Sequence, residues 1–210
     1  MTRVFFGQTD AERGRLLDLL AERSYQRREV TLSSGRKSDF YIDGKQTTLT
    51  AEGAWLCGRL LLDEVGRLPE AVAAVGGLTL GADPLVTAVA AESWQVGRPL
   101  DAFIVRKEPK GHGTGAWLEG AASLPAGAGV ALLEDVITTG GSVLRAAERC
   151  EARGLKVVGV VALVDRQEGG AEEVSKRYPF RALFTKQDFL SWRKGGGQES
   201  GGHESEAKDA

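Results

Sequence analysis

Apolar residues recur at helical spacing over residues 10–23, where Leu16, Leu17, Leu19 and Leu20 form one face behind a Thr9–Glu12 capping box. Short apolar runs at 30–32 and 40–42, separated by the turn-like stretch 33–37, predict two strands. The spacing of Trp55, Leu56, Leu60 and Leu61 predicts a helix over 50–65. A strand at 71–75, a loop at 76–81, a helix at 84–94 and a strand at 102–106 come next. Further on come a strand at 130–134, a helix at 143–153, a strand at 156–164, a short helix near 171–177 and a strand around 180–184. Thr185 with Asp188 marks the start of a last helix. Strands alternating with helices are the sequence form of βαβ units, so the expected class is α/β with a parallel sheet.

Composition narrows this without changing it. The chain has 210 residues, 42% hydrophobic, which is enough for one sizeable core. The expected organisation is a single domain over 1–194 and a disordered tail over 195–210, where Gly, Glu, Ser and Lys leave nothing to bury. His203 in that tail reads as solvated. A formal net charge of −2 gives no electrostatic footprint for nucleic acid. Uncharged, mostly small and apolar runs such as 71–82 fall well short of the roughly 20 residues that span a bilayer. With no signal pattern at the start, a soluble cytoplasmic protein is expected. Cys57 and Cys150 sit far apart in apolar-periodic segments and read as small core residues.

The chemistry concentrates in residues 130–142. Four apolar residues, Val130 to Leu133, run into the carboxylates Glu134 and Asp135, and the loop Val136, Ile137, Thr138, Thr139, Gly140, Gly141 and Ser142 leads into helical sequence. A continuously apolar run fits a strand buried on both faces. Its carboxyl end is where open α/β sheets place ligands. Backbone N–H groups at the entry of a helix, with the positive end of its dipole, form a phosphate site. The hydroxyls of Thr138, Thr139 and Ser142 add donors. The acidic pair repels a phosphate, so it accepts hydrogen bonds from sugar hydroxyls or faces a metal. The segment lacks the Gly-Lys-Ser/Thr ending of a Walker loop and the spacing of a dinucleotide turn.

A second signal lies at 103–115. Arg106, Lys107 and Lys110, with His112, sit at the end of a strand, interleaved with and trailed by the alternating glycines Gly111, Gly113 and Gly115. Too many glycines for a helix and too many charges for burial make this an electropositive loop. Cations closing over a leaving pyrophosphate would stabilise its charge and exclude water.

The 130–142 segment resembles the diphosphate-sugar signature of type I phosphoribosyltransferases, which bind phosphoribosyl pyrophosphate (PRPP). The basic loop, with its Lys110-Gly111-His112-Gly113 step, is similar to the catalytic loop of orotate phosphoribosyltransferases, a combination that purine enzymes of the same fold do not usually show. The resemblance runs over about residues 10–192. It implies the type I phosphoribosyltransferase fold: a central parallel sheet flanked by helices, with a small N-terminal hood at about 28–48. It further implies conversion of orotate and PRPP to orotidine 5′-monophosphate and pyrophosphate in pyrimidine synthesis, with Mg²⁺ held mainly by substrate oxygens and water. A homodimer is implied, with loop 106–115 acting in trans on the partner's site. Alternatives are a PRPP-sensing regulator of the same fold and a phosphoribosyltransferase for another base.

Carried onto this chain, the resemblance gives Lys110, His112 and Asp135 as catalytic residues. PRPP would be held by Arg106, Lys107, Lys110 and His112 at the pyrophosphate, by Glu134 and Asp135 at the ribose, and by the 136–142 loop at the 5-phosphate. Orotate would meet Tyr41, Thr138 and Arg166. An aromatic ring at Tyr41 or Phe40 can stack on the base for roughly 1 kcal/mol, or both rings can be hood core. Arg166 offers a planar fork to a carboxylate, or it forms a structural ion pair. The chain departs from the family at two cation positions, which are occupied here by Ser33 and Leu80. Lys45 can replace one of them or be an ordinary surface lysine.

Overall fold

The computed structural model describes residues 10–31, 37–109 and 116–193. In chain order the elements are α1 (Asp10–Arg23), β1 (Tyr25–Thr31), β2 (Lys37–Ile42), α2 (Lys45–Thr48), α3 (Ala51–Gly66), β3 (Ala74–Leu78), α4 (Asp83–Gln95) and β4 (Asp101–Val105). There follow β5 (Leu118–Glu119), β6 (Gly129–Ile137), α5 (Gly141–Ala152), β7 (Lys156–Asp165), α6 (Gly170–Ser175), β8 (Phe180–Thr185) and α7 (Lys186–Ser191). Local chemistry sets several of the boundaries. Thr50 caps α3 by accepting from the Gly53 N–H at 3.1 Å. Pro84 enters α4 in its first turn. Thr185 and Asp188 form the expected capping box of α7, with Thr185 N 2.7 Å from Asp188 Oδ2.

Six strands form one sheet in the order β5-β4-β3-β6-β7-β8. All neighbours in it are parallel except β5, which runs antiparallel to β4. The chain therefore winds outward from β3 in one direction and from β6 in the other, and the two halves diverge between them. Each face carries its own core. Ala131 and Leu133 of β6 pack with α1, α3 and α4, while Val130 and Leu132 pack with α5 and α6. Leu132 and Leu133 are fully buried, and each such burial stabilises by roughly 1.5–3 kcal/mol. That anchoring fixes the strand just ahead of the two carboxylates. β1 and β2 form a separate antiparallel hairpin. It is seated on the body by Phe40, whose ring lies 4.9 Å from Tyr25 and 5.7 Å from Phe189, centroid to centroid.

Three details depart from the expectations. The segment 76–81 is not all loop: Gly76 and Gly77 belong to β3. A Cβ on Gly76 would stand 2.1 Å from Cζ of Phe103, and one on Gly77 2.4 Å from Cβ of Ala82, so these glycines make room for a ring and a helix start. β6 runs to Ile137 and carries the acidic pair within it. Its pairing with β3 ends at Gly76–Leu132, whereas its pairing with β7 continues to Ile137–Asp165, so Glu134 and Asp135 still lie beside the opening between the diverging strands. The short α2 and the two-residue β5 carry no periodic signal in the sequence. Both cysteines are core residues without a disulfide, and burial pushes each thiol up to about 12.

Candidate active site

Strand alternation gives the two carboxylates different surroundings. Glu134 is buried, only 7% exposed. Burial raises its pKa well above the usual carboxylate range, and the adjacent charge of Asp135 raises it further, against the cations Arg145 and Lys107. Its Oε2 is a buried acceptor with no hydrogen-bond partner among the described residues, which leaves it fit to receive a hydroxyl donor. Asp135 is half-buried and accepts the Val136 N–H at 2.9 Å through Oδ1. Two glycines bound it: a Cβ on Gly81 would lie 2.3 Å from Oδ1, and one on Gly44 3.4 Å from its Cβ.

The loop after β6 has the backbone features that an anion site requires. Gly140 adopts a left-handed φ of 79°, which a glycine takes without strain, and α5 starts immediately after it with no side-chain cap. The N–H groups of its first turn are thus left for an outside acceptor. A neighbouring turn buttresses the loop. Arg166 N–H donates to the Ile137 carbonyl at 3.0 Å, and a Cβ on Gly170 would meet the Thr138 carbonyl at 2.5 Å. Arg145, one turn into α5, reaches back to Ser142, with Nη2 at 3.5 Å from its Oγ. Sequence reading misses it because it resembles any exposed helix arginine.

The strand ends beside this cradle hold the rest. The turn 79–82 leaves β3 through a cis peptide between Thr79 and Leu80. Thr79 donates its hydroxyl to Asp83 at 2.7 Å, and Leu80 stands 65% exposed. Arg106 and Lys107 follow β4. Arg106 is ion-paired with Glu119 at 3.0 Å, and Lys107 is exposed. A cavity of about 400 Å³ is lined by Thr79, Ile104, Arg106, Lys107, Glu108 and Glu119. Lys110, His112 and Ser33 lie outside the described residues.

On the hairpin side the aromatic alternatives separate. Phe40 is fully buried in the Tyr25–Phe189 cluster and is core, whereas Tyr41 is half-buried. Lys45 pairs with Asp43 at 2.6 Å. That hydrogen bond holds the ammonium above its ordinary range, and the charges of Asp135 and Tyr41 add to the effect. Lys45 is thus held by Asp43, close enough to Asp135 to feel its charge. Arg166 is buried, 2.8 Å from the Phe40 carbonyl and 2.8 Å from Glu168 Oε1. In this structure it is in the ion pair that formed one of its two expected roles.

Comparison with known proteins agrees with this geometry. Residues 49–198 match the phosphoribosyl transferase domain model. The orotate phosphoribosyltransferase of Sorangium cellulosum is 51% identical over 181 residues, covering 86% of this chain and 94% of the relative. That of Synechocystis is 52% identical over 171 residues, covering 81% and 84%. Among solved structures, Mycobacterium tuberculosis orotate phosphoribosyltransferase in complex with PRPP aligns with a TM-score of 0.69 at 36% identity, covering 85% of this chain and 99% of that one. The same enzyme in complex with Fe(III) dicitrate gives 0.73 at 39% identity, with coverage of 85% and 98%. An acidic pair beside an uncapped glycine loop, on this sheet order and with these relatives, assigns the chain to the phosphoribosyltransferase family, among the orotate phosphoribosyltransferases.

Proposed function

We propose that the protein transfers the phosphoribosyl group of PRPP to orotate, giving orotidine 5′-monophosphate and pyrophosphate for pyrimidine synthesis. The observation that carries this reading is the placement of Glu134 and Asp135 next to the uncapped start of α5. A sugar and its 5-phosphate are thereby recognised side by side. The 5-phosphate would take the N–H groups of 139–142 with the hydroxyls of Thr138, Thr139 and Ser142. Ribose hydroxyls would donate to the orphaned Glu134 Oε2 and to Asp135. The pyrophosphate would lie toward the 79–82 turn, Arg106 and Lys107, joined by Lys110 and His112. His112 carries an imidazole, a side chain suited by its chemistry to protonating the leaving group.

The reaction needs no enzyme nucleophile. A ring nitrogen attacks the anomeric carbon as the bond to pyrophosphate breaks, and the chain's task is to hold the two in line and neutralise departing charge. Tyr41 would stack on the base, and Arg166 would take the orotate carboxylate by exchanging Glu168 for it. Among the described residues no three carboxylate, histidine or cysteine side chains converge as a metal cage. The residues present fit a Mg²⁺ that would arrive on the polyphosphate and be held mainly by substrate and water oxygens. Such an ion supplies charge neutralisation on the leaving group.

A homodimer with the 106–115 loop serving the partner's site belongs to the same reading. It is supported by the large apolar side chains that stay exposed between residues 49 and 94, namely Leu49, Trp55, Leu80 and Trp94. No helix among the described residues is long and apolar enough to cross a membrane. A cytoplasmic location follows from substrates too highly charged to cross one. The decisive experiment mixes purified protein with PRPP, Mg²⁺ and orotate, with adenine, hypoxanthine and uracil as parallel acceptors. Loss of orotate absorbance is expected. PRPP binding without orotate consumption would favour a sensor, and turnover of another base alone would move the assignment within the family.

A further inference from the structure

Arg149 is a half-buried cation that the proposed reaction does not use. It lies on α5, two turns beyond Ser142 and one beyond Arg145. Residues at this spacing share a face, so one stripe of the helix runs from the phosphate cradle toward β4. At its far end the guanidinium donates through Nη1 to the Arg106 carbonyl and through Nη2 to the Lys107 carbonyl at 3.2 Å. Its Cζ also stands 3.9 Å from the ring centroid of Trp117, within the range of a cation–π contact. Arg106 N–H in turn donates to the Trp117 carbonyl at 2.9 Å. A single side chain thus grips the backbone on one side of the neck from which the basic segment leaves the sheet and the Trp117 indole on the other.

An ordinary surface arginine pairs with a carboxylate. Here the two donors go to consecutive main-chain carbonyls, and the flat face goes to an indole, a combination that uses the planar fork and that lysine cannot reproduce. The carbonyls gripped belong to Arg106 and Lys107, two of the six residues that line the 400 Å³ cavity. Fixing their peptide planes fixes where the Arg106 and Lys107 side chains depart. We propose that Arg149 is a positioning residue for the pyrophosphate half of PRPP. It sets the distance between the phosphate cradle at one end of α5 and the first two cations of the basic segment at the other. The inference rests on the proposed reaction for the identity of the anion, though not for the geometry.

The test compares wild type with Arg149→Lys and Arg149→Met. The measurements are kcat, the KM for each substrate, the Kd for PRPP with Mg²⁺ by calorimetry, and the thermal midpoint. Misplacing binding groups by about an ångström costs on the order of tenfold to a hundredfold. Arg149→Met is therefore expected to lose at least about tenfold in kcat/KM for PRPP, with a matching rise in Kd, while the orotate KM holds. Arg149→Lys, with one carbonyl bond retained, is expected between the two. Wild-type kcat/KM for PRPP in Arg149→Met would overturn the proposal. So would equal changes in both KM values, or a fall in kcat alone that tracks loss of folded protein. If wild type binds PRPP but consumes no orotate, the reaction assignment falls, and the PRPP Kd of the variants still decides the role of Arg149.

Discussion

Oδ1 of Asp135 lies 2.3 Å from where a Cβ on Gly81 would stand, so the turn after β3 presses backbone against the acidic pair of β6. Real side chains do not tolerate that approach, and Gly81 has no left-handed φ, so crowding alone sets the cost of a side chain there. Gly81→Ala is expected to displace the Asp135 carboxylate and lower kcat/KM by about a hundredfold, the typical loss for one strong transition-state contact. Gly44→Ala, whose Cβ would sit at 3.4 Å from Cβ of Asp135, is expected to do far less. Steady-state kinetics on the pair checks this. Equal effects would show that crowding of Asp135 is not the cause.

Glu134 trades stability for function. Burial, with Asp135 beside it, raises its folded pKa well above the ordinary value. Between the unfolded and folded pKa values the native state binds more protons than the unfolded chain, so stability falls as pH rises through that window. Glu134→Gln removes the ionisation. It is expected to raise the thermal midpoint at neutral pH and flatten the loss of stability from mildly acidic to neutral conditions, while weakening PRPP binding. Unfolding curves across pH, with PRPP titrations at neutral pH, check both halves.

Much of this arrangement is legible in the chain, for reasons that differ by element. The Thr185–Asp188 box and the apolar face of α1 are local, so adjacent residues announce them. The glycine loop before α5 is also legible, because a left-handed position and an uncapped helix start leave a composition mark. Gly76 and Gly77 read as loop because their cause, the Phe103 ring and the start of α4, lies elsewhere in sequence. α2 is hidden since Thr47 and Thr48 are poor helix formers; Thr47 is held by tertiary bonds to Ser24 and the Leu19 carbonyl. Arg145 and Arg149 look like solvated helix charges until the helix is placed beside β4 and β6.

Arg166 and Glu168 give a test of base recognition. The pair is nearly buried, with side chains 7% and 14% exposed, and Glu168 Oε2 has no hydrogen-bond partner among the described residues. Removing one charge of such a pair leaves the other uncompensated. Glu168→Gln is expected to lower the midpoint of the free protein and to enlarge the upward shift that orotate produces, since the substrate carboxylate then meets an uncompensated guanidinium. Arg166→Lys loses the fork and is expected to raise the orotate KM by about tenfold or more while sparing the PRPP KM. Thermal shifts with and without orotate, together with the two KM values, check the assignment. An unchanged orotate KM in Arg166→Lys would return Arg166 to a structural role.

The trans geometry is testable without a structure of the dimer. Lys110→Ala removes a cation of the basic loop, and Asp135→Asn disables the ribose anchor, so each homodimer is expected to be nearly inactive. If the loop of one subunit serves the other's site, a mixed dimer contains one site with wild-type Asp135 and a wild-type Lys110 reaching in from the partner. That site is intact. Random exchange of equal amounts makes about half of all dimers mixed, each with one good site of two, so recovered activity should approach about a quarter of wild type, as expected for a composite site in a symmetric dimer. If the loop serves its own subunit, each site in the mixed dimer keeps one lesion and no activity returns. Activity measured after verified subunit exchange separates the two arrangements.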